Sequence, residues 1–542
     1  MAGVVEEAGE RWGRPPDTPR ACRACPAVPV TTTYTAPTDP GAESVQSMMD
    51  DRVMPRAVVL GAGMAGLAAA ESLVESQWKV TVIDASGRPG GVLGTRREDG
   101  WLVERSADTF LAARSEVIDM VARIGLSDTL VGVAPEVRRA LVWHGGRGIP
   151  APDGFRLLAP GSVGGILRTS LLSPAGRLRV LAERFVPTRS RPHDTADDDE
   201  SLESFAVRRL GREAFENLVQ PLAAGIWTAD PARLGMAAAC PEFFAMERDA
   251  GSLWAGERAR LAARATADTG DSSRRGDHGT AGARYGQFLT LVDGMESLPV
   301  GLAARLRANG VTFVTARATA LARRTTHWRV EESGDDGPVI HEADAVVVAL
   351  PAAAAATLVR GEDPVLAAEL AAIEYAGSAI VSLGFSRGDV AHPLDAAGMV
   401  VPRREGRRAL ALSFSSSKFP GRAPDAAVLV RVFLGGALDP EVVHLEEAPL
   451  VDLARREVEV LIGARGQPRL THVERWHGAM PQYHVGHVAR VGRVSAAVGR
   501  HPGLALAGAA YEGVGIPQVI ASGRRAAERV VSSAARPRAG VR

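Results

Sequence analysis

Cysteine and lysine are scarce in this chain of 542 residues. Cys22, Cys25 and Cys240 are too few for a disulfide framework, so we expect a reducing compartment, the cytoplasm. Cys22 and Cys25 form a single C-x-x-C without a second pair, which does not indicate a metal site, and we expect no metal. Lys79 and Lys418 are the only lysines, and arginine supplies the rest of the positive charge.

A long uninterrupted apolar run is also missing. The nearest candidate, residues 343–359, contains Asp344 and Pro351, so it predicts a buried strand followed by a turn and not a transmembrane helix. Glu6 and Glu7 lie near the start and no apolar stretch follows them, so we expect no secretory signal. These patterns leave peripheral contact with a membrane open.

The chain has no net charge, because Lys+Arg and Asp+Glu both number 63. Without a basic excess there is no field to attract nucleic acid, and we expect no nucleic-acid partner. The length exceeds the roughly 250 to 300 residues at which one core stops growing, which predicts two or three domains. Residues 1–53 lack helical or strand periodicity, and we expect a disordered N-terminal extension there.

A β-α-β unit follows this extension. Residues 56–60 and 79–83 are apolar enough to predict two buried strands, and 64–76 predicts a helix between them. Asp84 ends the second strand, where a carboxylate can accept hydrogen bonds from the ribose hydroxyls of an adenosine moiety. This order of elements is typical of a nucleotide-binding domain.

Gly61, Gly63 and Gly66 form G-x-G-x-x-G between the first strand and the helix. The first glycine allows a tight turn, the second a close approach of pyrophosphate and the third close packing of the helix. The N-terminus of the helix then faces the phosphates. Strand, glycines, helix and distal acid together predict that the chain binds a dinucleotide.

A second glycine pair indicates which dinucleotide is bound. The segment RPGGVLGT at 88–95 resembles the motif that follows the second strand in FAD-dependent oxidases of the amine oxidase and desaturase superfamily. Gly90 and Gly91 would let the backbone approach the cofactor. This resemblance favours FAD.

Five segments, in order along the chain, make the resemblance specific. They are GGVLGTRREDGWLVERSADTF from 90, SLESFAVRRLGREAFENLVQPLAAGIWTADP from 201, FLTLVDGMESL from 288, AMPQYHVGHVARV from 479 and GLALAGAAYEGVGIPQVIASG from 503. Each resembles the corresponding stretch of protoporphyrinogen and coproporphyrinogen oxidases. The resemblance covers about residues 54–532, and on it the chain is identified as a member of that family.

The resemblance implies an α/β fold with a discontinuous Rossmann-like FAD-binding domain, a mixed α+β substrate domain and a helical subdomain. The polar segment 261–284 has few bulky apolar residues, so we expect a flexible loop there. The expected boundaries are 54–135, 285–350 and 491–535 for the FAD-binding domain, 136–260 for the substrate-binding and helical membrane-contact region, 351–490 for the substrate-binding domain and 536–542 for a tail.

The same resemblance implies which residues surround the FAD, several of them through backbone groups. They are Gly61, Ala62, Gly63, Met64, Ala65, Gly66, Asp84, Gly90, Gly91, Val92, Ser106, Ala107, Asp108, Thr109, Ala318, Ala509, Val514, Gly515 and Ile516. Two departures from the family pattern stand out. Asp84 replaces the usual Glu, and Gly94 replaces a common arginine, which would remove a charged contact from the flavin side.

Two residues are candidates for the substrate chamber. Gly225 corresponds to a glycine whose backbone lines the chamber in the plastid and mitochondrial branch, although a glycine there could equally serve only to end a helix. Arg139 aligns loosely with an arginine that could pair with a substrate propionate, the alternative being a solvated surface charge.

Two further features have an ordinary structural interpretation. His484 and His487 lie in YHVGH, which alternates like a strand and offers no partner carboxylate, so we interpret both as structural histidines. A leucine-bearing segment corresponds to the family's membrane-contact and substrate-entrance region, while burial in a helical core explains it equally well. Its leucines are Leu157, Leu158, Leu167, Leu171 and Leu172.

The family resemblance implies oxidation of a porphyrinogen in haem synthesis by three two-electron steps, with dioxygen as acceptor and hydrogen peroxide as product. Coproporphyrinogen III and protoporphyrinogen IX both remain open as the substrate. The oligomeric state, a monomer or a homodimer, is also open. An amine oxidase or carotenoid desaturase is the enzymatic alternative, and AAYEGVGIPQ argues against both. A flavoprotein that binds porphyrin without turnover is the second alternative.

Overall fold

A computed structural model of the chain describes residues 54–112, 114–189, 199–267, 288–334 and 337–535. The predicted N-terminal extension at 1–53, which includes Cys22 and Cys25, lies outside the described residues. So do the predicted tail at 536–542 and most of the predicted loop at 261–284.

Twenty strands are present in the described residues. They are β1 Arg56–Leu60, β2 Lys79–Asp84, β3 Thr95–Glu98, β4 Trp101–Glu104, β5 Phe110–Leu111, β6 Leu130–Gly132, β7 Ala140–His144, β8 Arg147–Pro150, β9 Phe288–Leu291, β10 Thr312–Thr315, β11 Arg317–Arg323, β12 Trp328–Gly334, β13 Gly337–Ala343, β14 Ala345–Val348, β15 Tyr375–Ser386, β16 Gly398–Val400, β17 Ala409–Phe414, β18 Ala427–Gly435, β19 Leu470–Pro481 and β20 Leu504–Leu506.

The same residues contain seventeen α-helices. They are α1 Met64–Glu75, α2 Ser115–Arg123, α3 Val163–Arg168, α4 Pro174–Leu181, α5 Leu202–Leu210, α6 Arg212–Ala214, α7 Gln220–Trp227, α8 Met236–Ala239, α9 Pro241–Ala250, α10 Leu253–Ala267, α11 Ser297–Ala308, α12 Ala352–Val359, α13 Pro364–Ala371, α14 Ser415–Lys418, α15 Glu447–Ile462, α16 His487–Val498 and α17 Ile516–Ala535.

The first sheet is parallel throughout and joins strands that are far apart in the sequence. Its order is β10-β2-β1-β14-β20. Alternate residues of β1 point to opposite faces, so Ala57 and Val59 enter a core shared with α1, α11 and α17, while Val58 and Leu60 enter a core shared with α12, α13 and α16. Burial on both faces explains why β1 and β14 are almost continuously apolar. The predicted discontinuous Rossmann-like fold is confirmed.

The last helix packs closely on the first helix of this sheet. A Cβ atom added to Gly523 in α17 would lie only 2.1 Å from the carbonyl oxygen of Ala65 in α1. Only a glycine allows the two backbones to approach this closely. The contact packs the middle of α17 on the first turn of α1, and Ile516 at the start of α17 packs against the core that contains Ala62 and Met64.

The second sheet has seven strands in the order β19-β15-β18-β17-β16-β7-β8. All its pairs are antiparallel except β16 with β7. One face of this sheet packs on α15 around residues such as Val381, Leu383, Val430 and Val432. Strands from 140–150 therefore share a sheet with strands from 375–481, as a mixed substrate domain requires.

A helical layer from α3 to α9 forms a third core around Phe205, Leu218 and Phe243. Inside it lies a buried ion pair: the Nε of Arg209 donates to Glu183 at 2.7 Å, and neither side chain has any exposed surface. Glu183 also accepts a hydrogen bond from the backbone N–H of Leu253. The pair joins α5 to the start of α10.

Two local expectations need correction and a third is incomplete. The predicted loop at 261–284 starts too early, because α10 continues to Ala267 through an alanine- and arginine-rich stretch with high helix propensity. The strand expected around His484 and His487 is wrong, since α16 begins at His487. The turn expected after the strand within 343–359 is followed by helix α12. The other domain boundaries stay predictions.

No helix among the described residues combines the length and the apolar character needed to cross a bilayer.

We predict that Arg209→Met destabilises the protein by roughly 3–5 kcal/mol, because it leaves the fully buried Glu183 carboxylate unpaired. Urea unfolding monitored by circular dichroism measures the change. Arg212→Met is the matched control, since its pair with Glu203 is solvent-exposed and should contribute about 1 kcal/mol or less. Equal effects of the two substitutions would contradict the prediction.

Candidate functional site

The glycine-rich turn after β1 leaves open space where a ligand can approach. Gly61 has φ +104°, and a Cβ on Gly66 would lie 1.9 Å from the carbonyl oxygen of Gly61, so both positions need glycine for the turn itself. A Cβ on Gly63, in contrast, would meet no atom within 4 Å. The residues between these glycines are buried: Ala62, Met64 and Ala65.

The N-terminus of α1 lies at this opening, with Gly63 as its N-cap and no side chain capping it. The first N–H groups of the helix therefore remain available to an anionic ligand, and the helix dipole favours negative charge there. An open glycine in front of uncapped N–H groups fits a pyrophosphate.

Asp84 lies beside this turn at the end of β2. Its Oδ2 accepts a hydrogen bond from the backbone N–H of Ala62 at 2.8 Å, and its Oδ1 accepts one from Ser86. Its carbonyl oxygen accepts from Ala316, two residues before Ala318 in β11. The structure therefore brings Asp84 and Ala318 to the same end of the first sheet, and their contact with the ribose and FAD stays a prediction.

The second glycine pair, Gly90 and Gly91, packs against the glycine-rich turn after β1. The backbone N–H of Gly90 donates to the carbonyl oxygen of Ala62 at 2.8 Å, and a Cβ on Gly91 would lie 3.3 Å from the Cα of Gly63. Gly90 and Gly91 both have positive φ. Val92 follows with an exposed side chain, so this segment forms one wall of the opening.

Two arginine side chains lie beside Gly94, and the loss of a charged contact to the flavin at this position stays a prediction. A Cβ there would lie 2.8 Å from the side chain of Arg105 and 3.3 Å from the guanidinium of Arg88. Arg105 is fixed by Glu474, whose carboxylate it contacts at 2.6 Å. Burial disfavours the ionised carboxylate of Glu474. The hydrogen bonds from His472 and Arg105 outweigh this effect and lower the pKa of Glu474 to about 2. Two neighbouring arginines thus occupy the space beside Gly94.

Residues 106–109, which we call the 106–109 strip, follow β4. They contact the second glycine segment and the second sheet. The strip consists of Ser106, Ala107, Asp108 and Thr109. The hydroxyl of Ser106 donates to the carbonyl oxygen of Val92 at 2.6 Å. Asp108 contacts Lys418 and Arg431, and Arg431 also donates to the carbonyl oxygen of Ser106. Cations of the substrate domain therefore hold the strip.

Tyr483 fixes the C-terminal loop, and sequence reasoning missed this residue. Its hydroxyl accepts a hydrogen bond from the N–H of Gly513 at 2.8 Å and donates to the carbonyl oxygen of Ala509. Its ring stacks on His487, with ring centroids 4.2 Å apart. Burial lowers the pKa of His487 to about 4, so His487 is neutral near pH 7 and serves as a packing partner.

The loop held by Tyr483 leads directly into α17, so Val514, Gly515 and Ile516 lie at the N-terminus of that helix, all partly exposed. Val514 packs on the helical core. Leu222 and Ile226 of α7 pack on the same core. The loop at the predicted FAD site and the helix at the predicted chamber therefore share one hydrophobic cluster.

Gly225 lies inside α7 and is exposed, although most of its helical neighbours are buried. A Cβ there would meet only Val400, at 3.9 Å, so the position faces open space. The alternative that Gly225 ends the helix is wrong, because α7 continues to Trp227 and Thr228 takes the left-handed conformation with φ +48°. A π-helical turn at 215–219 precedes α7, a feature frequent at functional sites.

Arg139 lies immediately before β7. Its Nε donates to the carbonyl oxygen of Asp395 at 2.8 Å, and its guanidinium pairs with the Asp395 carboxylate. Its own carbonyl oxygen accepts from Ala397, next to β16, which also carries Val400. Arg139 and Gly225 thus lie along the same strand, β16, with Arg139 at its start and Gly225 against its end.

The leucine-bearing segment is mostly buried. Leu157, Leu158, Leu171 and Leu172 belong to the helical core, and only Leu167 is exposed. Other exposed apolar side chains nearby were missed from the sequence because helical periodicity alone does not show which face a neighbouring element covers. They are Val163, Leu178 and Phe185.

The part of the chain that the structure describes contains no group of three or more histidine, cysteine or acidic side chains that could hold a metal ion.

The chain matches the family model of flavin-containing amine oxidoreductases over residues 64–531. It is 33% identical to coproporphyrinogen III oxidase of Propionibacterium freudenreichii subsp. freudenreichii, over 88% of this chain and 91% of that protein. It is 31% identical to coproporphyrinogen III oxidase of Bacillus subtilis (strain 168), over 86% and 96%. Mitochondrial protoporphyrinogen oxidase of Nicotiana tabacum is 26% identical, over 88% and 95%.

Solved structures agree on the fold. A crystal structure from Exiguobacterium sp. 255-15 is 27% identical, with a TM-score of 0.74 over 88% of this chain and 99% of that chain. Cyclohexylamine oxidase from Brevibacterium oxydans IH-35A superposes with a TM-score of 0.63 over 89% of this chain and 100% of that chain, at 15% identity, which shows the fold alone.

The parallel sheet, the open glycine turn and the family match define a flavin-containing amine oxidoreductase, and the chain belongs to that family. Within it, the chain belongs to the porphyrinogen oxidases, as the sequence resemblance predicted. It is an oxidoreductase whose cofactor is FAD.

We predict that Gly63→Ala weakens FAD binding by roughly tenfold or more without loss of fold, because the added methyl group enters only the open space. Gly66→Ala should instead lower the stability of the apoprotein, since its methyl group collides with the Gly61 carbonyl. FAD titration of the apoprotein and thermal unfolding separate the two effects.

The exposed Gly361, where a Cβ also meets nothing within 4 Å, provides the control Gly361→Ala. This variant should bind FAD as the wild type does. The pyrophosphate assignment of the Gly63 opening is rejected if Gly63→Ala and Gly361→Ala bind FAD equally well.

Proposed function

We propose that the protein oxidises a porphyrinogen to the porphyrin in haem synthesis, with dioxygen as electron acceptor. Six electrons and six protons leave the macrocycle, so one porphyrinogen and three O₂ give one porphyrin and three H₂O₂. Bound FAD would supply the two-electron chemistry of each step. The observation that carries the proposal is the exposed Gly225 on a helix that shares its core with Val514 at the FAD site.

The residues of the chain would bind and orient the macrocycle. Gly225 carries no side chain, so a flat ring system can lie against α7, with Val400 of β16 next to it. The apolar core behind α7 keeps that wall rigid. Binding a reactive ring carbon at a fixed distance from FAD is the main task, because aromatisation provides the driving force.

We propose coproporphyrinogen III as the substrate, giving coproporphyrin III. The support is the higher identity to the bacterial coproporphyrinogen III oxidases, 31–33%, than to the tobacco protoporphyrinogen oxidase, 26%. Coproporphyrinogen carries four anionic propionates, and we place one of them at Arg139. Both Arg139 and its partner Asp395 are about half exposed, so a propionate can compete for the guanidinium.

We predict faster turnover of coproporphyrinogen III than of protoporphyrinogen IX, with three H₂O₂ released per porphyrin formed. Porphyrin fluorescence and peroxide are measured side by side on the FAD-loaded protein. Tight porphyrin binding without peroxide would replace the proposal by a non-catalytic porphyrin carrier. Flavin bleaching by an amine or a polyene, but not by a porphyrinogen, would replace it by an amine oxidase or a desaturase.

Two variants at one position test the chamber. Gly225→Leu should lower kcat/KM for the porphyrinogen by roughly tenfold or more, because the side chain fills the open space. Gly225→Ala should retain the fold, since its methyl group makes only an ordinary contact with Val400. FAD reduction by dithionite should be normal in both, so a defect confined to porphyrinogen turnover locates the substrate at α7.

We also propose that the protein contacts a membrane peripherally through α3, α4 and the turn at 182–185. These three consecutive elements contact one another and expose apolar side chains, with Leu178 66% and Phe185 73% exposed. Arginines accompany them: Arg168 is largely exposed, and the guanidinium of Arg184 lies 4.6 Å from the Phe185 ring centroid. Exposed apolar and cationic groups together favour an anionic bilayer surface.

We predict that Leu178→Ser with Phe185→Ser reduces cosedimentation with anionic phospholipid vesicles, because it removes the two most exposed apolar groups of the patch. Val365→Ser is the matched control, since Val365 is equally exposed on α13, outside the patch. Unchanged vesicle binding overturns the proposal. A concentration-dependent dimer in light scattering that the double variant abolishes would assign the patch to a homodimer instead.

A further inference from the structure

A buried group of five charged side chains lies between the 106–109 strip and the second sheet. Its members are Glu104, Asp108, Lys418, Arg422 and Arg431. All five side chains have at most 16% of their surface exposed. Burial of this many charges is costly and is usually found where they serve a specific purpose.

The group carries more positive than negative charge. Three cations face two carboxylates, so one positive charge is in excess even when both carboxylates are ionised. Burial opposes ionisation of Asp108, but Lys418 and Arg431 hold its pKa below the ordinary value. Burial raises the pKa of Glu104, which accepts hydrogen bonds from the Thr95 hydroxyl and from a backbone N–H. Neutralising Glu104 would increase the excess.

The excess positive charge lies next to the 106–109 strip. Lys418 pairs with Asp108, and Arg431 contacts both Asp108 and the carbonyl oxygen of Ser106. The Nε of Arg431 is buried without a hydrogen-bond partner, on a side chain that is 1% exposed. Arg422, in contrast, is occupied by backbone carbonyls of the 291–292 segment. Of the three cations in the group, Lys418 and Arg431 are therefore the two that contact the strip.

We propose that this cluster sets the redox potential of the bound FAD: Lys418 and Arg431 give the 106–109 strip a net positive field that favours the reduced cofactor. Reduction adds two electrons to FAD, and a fixed positive charge stabilises the added negative charge in a low-dielectric site. Lys418 and Arg431 are thus positioning and tuning residues that act through the strip. The inference rests on the proposed FAD site, and it does not depend on the identity of the substrate.

The test measures the midpoint potential of the FAD-loaded protein by spectroelectrochemistry without any porphyrinogen, so failure of the proposed substrate leaves its outcome unaffected. Lys418→Met removes a positive charge and should shift the oxidised/reduced equilibrium at least about tenfold towards oxidised FAD, which is about 30 mV for two electrons. Asp108→Asn removes a negative charge and should shift it in the opposite direction.

Two lysine variants control for side effects. Lys418→Arg keeps the charge and should keep a potential close to that of the wild type. Lys79→Met removes the only other lysine, which is exposed on β2, and should have no effect. Shifts of opposite sign for Lys418→Met and Asp108→Asn are not expected from a structural role, which would only lower FAD content and stability in both.

The proposal is overturned if the two variants bind FAD and their potentials are unchanged or move in the same direction. If Lys418→Met does not fold, as judged by thermal unfolding, Asp108→Asn is compared with Lys418→Arg. In that comparison a potential for Asp108→Asn that is not the more positive one also overturns the proposal.

Discussion

The close approach of α1 and α17 is the constraint on which the rest of the structure depends. It requires a glycine at position 523, whose backbone packs against the Ala65 carbonyl of α1, while Gly66 of α1 packs against the Gly61 carbonyl of the preceding turn. Because these backbones touch, α17 packs against the first turn of α1 although more than 400 residues separate the two helices along the chain. A larger side chain at Gly523 would push α17 away from α1.

A second link couples the predicted FAD site to the second sheet. The 106–109 strip belongs to the segment after β4, yet its charged partners Lys418 and Arg431 come from α14 and β18 of the second sheet. Tyr483 provides the corresponding neutral link, from the end of β19 to the Ala509–Gly513 loop. Hydrogen bonds and ion pairs thus fix the orientation of the substrate domain more specifically than apolar packing alone could.

Some features of the structure were predictable from the sequence and others were not. The β-α-β unit and the glycine turn were predictable, because their conformations depend on neighbouring residues and on glycine geometry. Loop 261–284 was placed too early because alanine and arginine continue a helix even where the composition is polar. Gly225 could not be distinguished from a helix end, since a glycine inside a helix and one after it look alike in sequence.

The sequence by itself determined the nucleotide-binding turn, the FAD preference and the family, because each rests on residues that are close together along the chain or on segments in a recognisable order. Only the tertiary structure decided that Arg88 and Arg105 fill the space at Gly94, that Tyr483 holds the C-terminal loop and that Lys418 pairs with Asp108. Lys418 and Asp108 are separated by 310 positions. Contacts of that kind arise from the packing of whole domains, which local patterns of hydrophobicity and glycine do not encode.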